Sequence, residues 1–158
     1  MKKGIITVLL TVTGVAAGAI STNLAAKKRI AQVQQYSSKH MSLYLLMNQW
    51  VKVKQADKDI SEYLIKQGYR RIAIYGMNYV GQTLYEELKD TEITISYAID
   101  KNADGILVPV DVLFPDDDLP EVDAVVVTAI TFFDEIEEQL AGKMDCPIMS
   151  LEDLLYEV

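Results

Sequence analysis

The chain is poor in the residues that usually make reactive centres. Its 158 residues hold one histidine, His40, and one cysteine, Cys146. A single cysteine excludes an intrachain disulfide and fits a reducing compartment. A single histidine with no second histidine or cysteine beside it speaks against a metal site. Acid is missing from the first forty residues, whose only charges are Lys2, Lys3, Lys27, Lys28, Arg29 and Lys39. Between Gly4 and Ala26 charge is missing altogether, and residues 27–56 contain neither proline nor glycine.

What is present is distributed unevenly. Half of the residues are hydrophobic, enough for one compact domain with an appendage. The 118 residues after His40 carry nine basic and twenty-three acidic side chains, so the net charge of −8 hides a basic head on a strongly acidic body. An acidic body repels phosphodiesters, which argues against nucleic acid as its partner. The basic head suits anionic lipid.

The uncharged stretch 4–26 is long enough for a transmembrane helix, which needs about 20 residues, and lysines bracket it. Thr7, Thr11, Thr13, Ser21, Thr22 and Asn23 dilute its apolar character. Two readings follow. Residues 1–26 form an uncleaved single-pass anchor, or they form a signal peptide with Ala17-Gly18-Ala19 as its cleavage site. The anchor is the preferred reading, because the uncharged run continues past that site. The excess of basic residues after the span places the C-terminal domain in the cytoplasm. Gly14 and Gly18 form a G-x-x-x-G pair, a candidate face for a homodimer in lipid.

Residues 27–59 read as a juxtamembrane helix and linker. Ile30, Val33, Ser37, His40, Tyr44, Met47 and Val51 recur at heptad spacing. Ser37, His40 and the short length argue against a stable coiled coil. The second half, Met41–Val53, is expected to pack on the domain through Leu43, Leu46, Met47, Trp50 and Val53. Asp59 caps a helix over Ile60–Gln67, with Glu62 in capping-box position and Gly68 as its stop.

From residue 60 to 158 strands alternate with helices. Ile72–Tyr75 is a strand, Val80–Lys89 a helix and Ile93–Ile99 a second strand. Ile106–Val112 is a short or edge strand broken by Pro109. Asp123–Thr128, with Ala124-Val125-Val126-Val127, reads as a central strand buried on both faces. Phe132–Leu140 is an amphipathic helix, Pro147–Met149 a fifth strand, and Leu151–Tyr156 a last helix capped by Ser150. The alternation predicts an α/β fold with a Rossmann-like parallel sheet of about five strands in the order 3-2-1-4-5. Ligands in such sheets bind at the carboxyl ends of the strands, beside the point where the strand order reverses.

The first strand runs into Gly76-Met77-Asn78-Tyr79-Val80-Gly81. In the dinucleotide fingerprint one glycine makes the tight turn, a second lets the backbone approach a pyrophosphate, and a third lets helix and strand pack closely. Gly76 and Gly81 fit the first and third roles; Asn78 stands at the second. Asp100 follows Gly81 by nineteen residues, the position of a carboxylate that holds ribose hydroxyls and repels a 2′-phosphate. Thr128 and Ala129 open the neighbouring loop. The candidate site is therefore Gly76, Met77, Asn78, Tyr79, Gly81, Asp100, Lys101, Thr128 and Ala129, with NAD or a nucleotide-sugar as ligand.

The segments Tyr69–Met77, Tyr97–Asn102 and Asp123–Thr128 together resemble Rossmann-like domains encoded with bacterial surface-polysaccharide enzymes. They are also similar to nucleotide-binding modules of sugar acyltransferases and sugar methyltransferases. The resemblance covers about residues 60–155 and implies a nucleotide, NAD or nucleotide-sugar ligand at Gly76, Gly81 and Asp100. Nothing in the domain supplies an evident acid, base or nucleophile: His40 lies outside it, and no Tyr-x-x-x-Lys pair follows the fourth strand. Three functions stay open. One is a membrane-tethered binding module, accessory or regulatory in polysaccharide biosynthesis. Another is a sugar-nucleotide enzyme completed by a partner. The third is a non-binding adaptor that recruits such enzymes.

Overall fold

The computed structural model describes the backbone of residues 2–158 and the side chains of residues 26–158. The chain divides into two compact units, residues 1–43 and 44–158. The expected anchor at 4–26, except for Ala26, the cleavage site and the Gly14/Gly18 pair fall on residues whose side chains lie outside the described ones. Among the described residues no helix is long and apolar enough to cross a membrane.

Helix α1 runs Lys2–Gln55. Its last turns belong to the second unit, where Leu46, Trp50 and Val53 are buried. That is the expected packing face, with one correction. Met47, expected to face in, is 39% exposed. The trio at 46, 50 and 53 follows the 3.6-residue period, and Met47 lies a further 100° around the helix. Trp50 donates from Nε1 to Glu87 at 2.6 Å, so its polar edge is satisfied inside the seam.

Helix α2, Ile60–Lys66, starts at Asp59, whose side chain accepts from the Ser61 amide at 2.7 Å. The chain then enters β1, Arg71–Tyr75, and continues through α3, Tyr79–Leu88, to β2, Thr94–Ile99. A short 3-10 turn at Ala103–Gly105 leads to β3, which is only Val112–Leu113. Here the expected strand over 106–112 is corrected. Pro109 has no amide to donate, and pairing begins only beyond it, with Ala98 opposite Val112 and Ile99 opposite Leu113. Strand β4, Ala124–Val127, a 3-10 turn, α4, Phe133–Ala141, β5, Ile148–Ser150, and α5, Leu151–Glu157, complete the chain.

All five strands are parallel, in the order β3-β2-β1-β4-β5. The order is the expected one. Strand β4 is buried at every position, as a β-branched run covered on both faces must be. Burying each such valine contributes about 1.5–3 kcal/mol. One layer of the core gathers Ala73, Tyr75, Ile99, Val125, Val127 and Leu140. Leu84 and Leu88 of α3 are fully buried as well.

The amino ends of β1 and β4 are locked by Asp123. Its Oδ2 accepts from the amides of Arg70 at 2.8 Å and Arg71 at 2.7 Å. The Arg71 bond first and the Arg70 bond second hold its carboxyl below the ordinary value of 3.8. A carboxylate with a depressed folded-state pKa contributes stability above its unfolded pKa and loses it as pH falls through the folded one. Asp123→Asn is expected to flatten the acid limb of a stability-against-pH curve below about pH 4, read by urea denaturation at stepped pH. An unchanged limb would show that the two amide bonds do not couple to folding.

Candidate functional site

Strand β1 ends where the sheet order reverses, and the loop after it is held from three sides. Gly76 sits at φ +94°, a conformation that side chains rarely adopt. Its amide donates to the Ile99 carbonyl at 2.8 Å, extending the β1–β2 ladder by one rung. Its carbonyl accepts the Thr128 hydroxyl at 2.5 Å, and that hydroxyl also reaches the Tyr75 carbonyl at 3.1 Å. Thr128 is buried, so its position in the site is that of a brace between β4 and the loop. A Cβ on Gly81 would lie 2.0 Å from the Gly76 carbonyl oxygen. Gly81 therefore has the close-packing role read from the sequence.

Asp100, half-buried at the end of β2, reaches back to the loop. Its Oδ2 accepts from the Met77 amide at 2.8 Å and its Oδ1 from the Asn102 amide at 2.9 Å. Each oxygen of a carboxylate can accept twice, so Asp100 keeps acceptor capacity beyond these bonds. Met77 contributes only its backbone here, since its side chain is 1% exposed.

Asn78 is the N-cap of α3. Its Oδ1 accepts from the Val80 amide at 2.9 Å, satisfying one of the donors left open at a helix start. The glycine replaced at this position is thus exchanged for an internal cap, a function the sequence reading did not assign. Asn78 and Tyr79 are exposed, and their amides take no partner among the described residues. Tyr79 is 89% exposed and projects from the first turn of α3. Lys101 is exposed, Ala129 half-buried, and both follow strands that flank β1.

The fold thus gathers the nine sequence-selected residues at the carboxyl ends of β1, β2 and β4. Their direct bonds link Gly76 with Thr128 and Met77 with Asp100. Two clefts elsewhere on the domain are lined by other residues. One of about 380 Å³ lies beside β5 and α5, and one of about 490 Å³ includes Cys146 and Val122. Cys146 is half-buried, and burial pushes its thiol pKa up, away from the reactive thiolate.

One side chain was missed in the sequence. The hydroxyl of Tyr75, directly before Gly76, is buried and has no hydrogen-bond partner among the described residues. Burial first, and then the charges of Asp100 and Asp116, push its pKa up, so it stays a neutral phenol. An unpaired buried hydroxyl costs roughly 1–3 kcal/mol. Tyr75→Phe is accordingly expected to leave stability unchanged or raise it by about 1 kcal/mol, measured as a shift in the urea midpoint. A loss of stability would reveal a partner for the phenol in solution.

No protein-family model matches the chain, and no curated protein or solved structure is significantly similar to it.

Proposed function

We propose that this chain is a binding module for a nucleotide-type ligand, NAD or a nucleotide-sugar, held at the carboxyl end of β1. Asp100 takes ribose hydroxyls with its unused lone pairs. The amides of Asn78 and Tyr79, at the positive end of α3, face the phosphates. Ala129 walls the opposite side, with the buried Thr128 bracing the loop behind it, and Lys101 lies beside the ribose. The observation that carries the reading is Asp100, fixed at the end of β2 by two backbone amides and still half exposed. The module is accessory or regulatory rather than catalytic, in surface-polysaccharide biosynthesis as the sequence resemblance implies. Residues 4–26 tether it to the membrane with the domain in the cytoplasm.

A thermal-shift series on the full chain in detergent tests the ligand, with NAD, NADP, UDP-sugars, GDP-sugars and S-adenosylmethionine. One of the first four classes is expected to stabilise the domain, by about 2.7 kcal/mol at a hundredfold excess over its dissociation constant. NADP should be weaker than NAD, because Asp100 repels the 2′-phosphate. Asp100→Ala should abolish the shift. A C-terminal reporter active only outside the cytoplasm would reverse the topology.

A second reading has its own support. Asn78 fills the cap position and Asp100 holds the Met77 amide, so the loop satisfies part of its donors internally. That suits an adaptor that keeps the fold and recruits enzymes without a ligand. Silence across the whole series selects it.

A further inference from the structure

The cleft beside β5 and α5 has no role in the ligand site at the end of β1. It lies wholly within residues 44–158, among α2, α4, β5 and α5, and holds about 380 Å³. Two kinds of side chain distinguish its lining. Tyr63, Tyr69 and Phe133 bring three half-buried aromatic rings. Glu137, Asp153 and Glu157 bring three exposed carboxylates. No lysine, arginine or histidine lines the cleft. None of the three carboxylates is paired with a base among the described residues. Glu157 accepts only the Tyr63 hydroxyl.

We propose that this cleft binds a basic side chain, arginine above all, carried by an extended partner peptide. The lining selects the charge. An anion would meet three like charges, and an uncharged apolar guest would strip water from carboxylates and give nothing back. A cation on an apolar stem suits both halves of the lining. The stem and the cation lie on the aromatic faces, and the carboxylates complete the neutralisation. Arginine fits better than lysine, because its planar guanidinium stacks on a ring and takes a carboxylate with two parallel bonds.

The sheet edge selects a peptide over a free amine. Strand β5 is an outer strand, and it lines the cleft with residues 147–150. In its parallel register Val125 stands opposite Ile148 and donates to the Pro147 carbonyl. Val125 therefore bonds the neighbours of Ile148, and the amide and carbonyl of Ile148 stay outside the ladder. They can hold one residue of a passing backbone while its side chain enters the cleft. The acidic balance of the body draws such a partner in from a distance. The inference is independent of the nucleotide reading.

The test is a titration of the full chain in detergent with a capped alanine–arginine–alanine tripeptide, followed by amide nuclear magnetic resonance at low salt. The amide signals of Tyr69, Ile148 and Ser150 should move, and those of Asn78 and Tyr79 should not. The same tripeptide with glutamine in place of arginine should not bind. Glu137→Gln with Asp153→Asn should weaken the arginine peptide about three- to tenfold. Glu138→Gln with Asp104→Asn removes the same charge from exposed positions outside the cleft and should leave the affinity unchanged. Tyr69→Leu keeps every charge and most of the volume, and it should weaken binding through the lost ring. Tetramethylammonium chloride should bind less tightly than the arginine peptide. Absence of binding by the arginine peptide, equal binding of the glutamine peptide, equal losses in the two charge pairs, or tighter binding of tetramethylammonium would each overturn the proposal.

Discussion

Gly81→Val is expected to unfold the domain at temperatures where the natural chain is folded. The added Cβ would stand 2.0 Å from the Gly76 carbonyl oxygen and 3.0 Å from its carbon. Both are backbone atoms, and neither can turn aside as a side-chain tip would. Gly76 is itself held by the Ile99 carbonyl and the Thr128 hydroxyl, so relief at residue 81 means breaking those bonds. Overpacking of yielding cores costs about 1–3 kcal/mol; against fixed backbone the loss should exceed about 3 kcal/mol, a large part of a typical domain's stability. Gly142→Ala is the matched control. Nothing lies within 4 Å of its added Cβ, and its backbone is already right-handed helical. It should gain about 0.4–1 kcal/mol. Urea midpoints that move the same way in both would remove the contact argument. This result bears on the ligand question as well. Loss of binding in Gly81→Val carries no information about binding, whereas Asp100→Ala changes the site with the Gly76–Gly81 contact intact.

Trp50→Ala should be nearly as severe, at about 3–5 kcal/mol. The indole is 3% exposed and joins α1 to α3 through Glu87, whose side chain is only 11% exposed. After truncation Glu87 keeps Lys54 at 3.0 Å but faces a void. Trp50→Phe separates the two parts: it keeps most of the volume and loses the N–H donor, for about 1–3 kcal/mol. Chemical denaturation followed by circular dichroism reads both, since the substitution removes the only tryptophan. If Trp50→Ala cost less than about 1 kcal/mol, residues 44–55 would be an attachment to the domain rather than part of its core. The same logic predicts that a chain begun at residue 60 is much less stable than one begun at 44, where the compact unit starts.

The fold was legible where composition and position pointed the same way. Ala124-Val125-Val126-Val127 has no polar side to offer, so it had to be central, and β4 is buried throughout. Gly76 and Gly81 were assigned by the steric demands of the turn, and those demands appear as a positive φ and a backbone contact. Ser150 and Asp59 stand at helix starts and cap them. What was not legible depended on direction rather than identity. Ile106–Val112 has strand composition, but Pro109 interrupts the ladder and only Val112–Leu113 pairs. Asp100 was placed correctly at the end of β2, yet its bonds to Met77 and Asn102 depend on where its oxygens point. Asp123 read as the edge of a strand, and it clamps two amides across the sheet. The isolation of the Tyr75 hydroxyl depends on what the other layer fails to supply, which no local pattern records.

The shortness of the outer strands has a consequence for how copies of this chain can meet. β3 offers two residues and β5 three, and β5 passes directly into α5. Long, flat sheet margins are templates on which foreign backbone can build amyloid-like ladders. Margins this brief present few open amides and carbonyls in a row. A partly loosened molecule therefore has little β-edge with which to seed polymerisation.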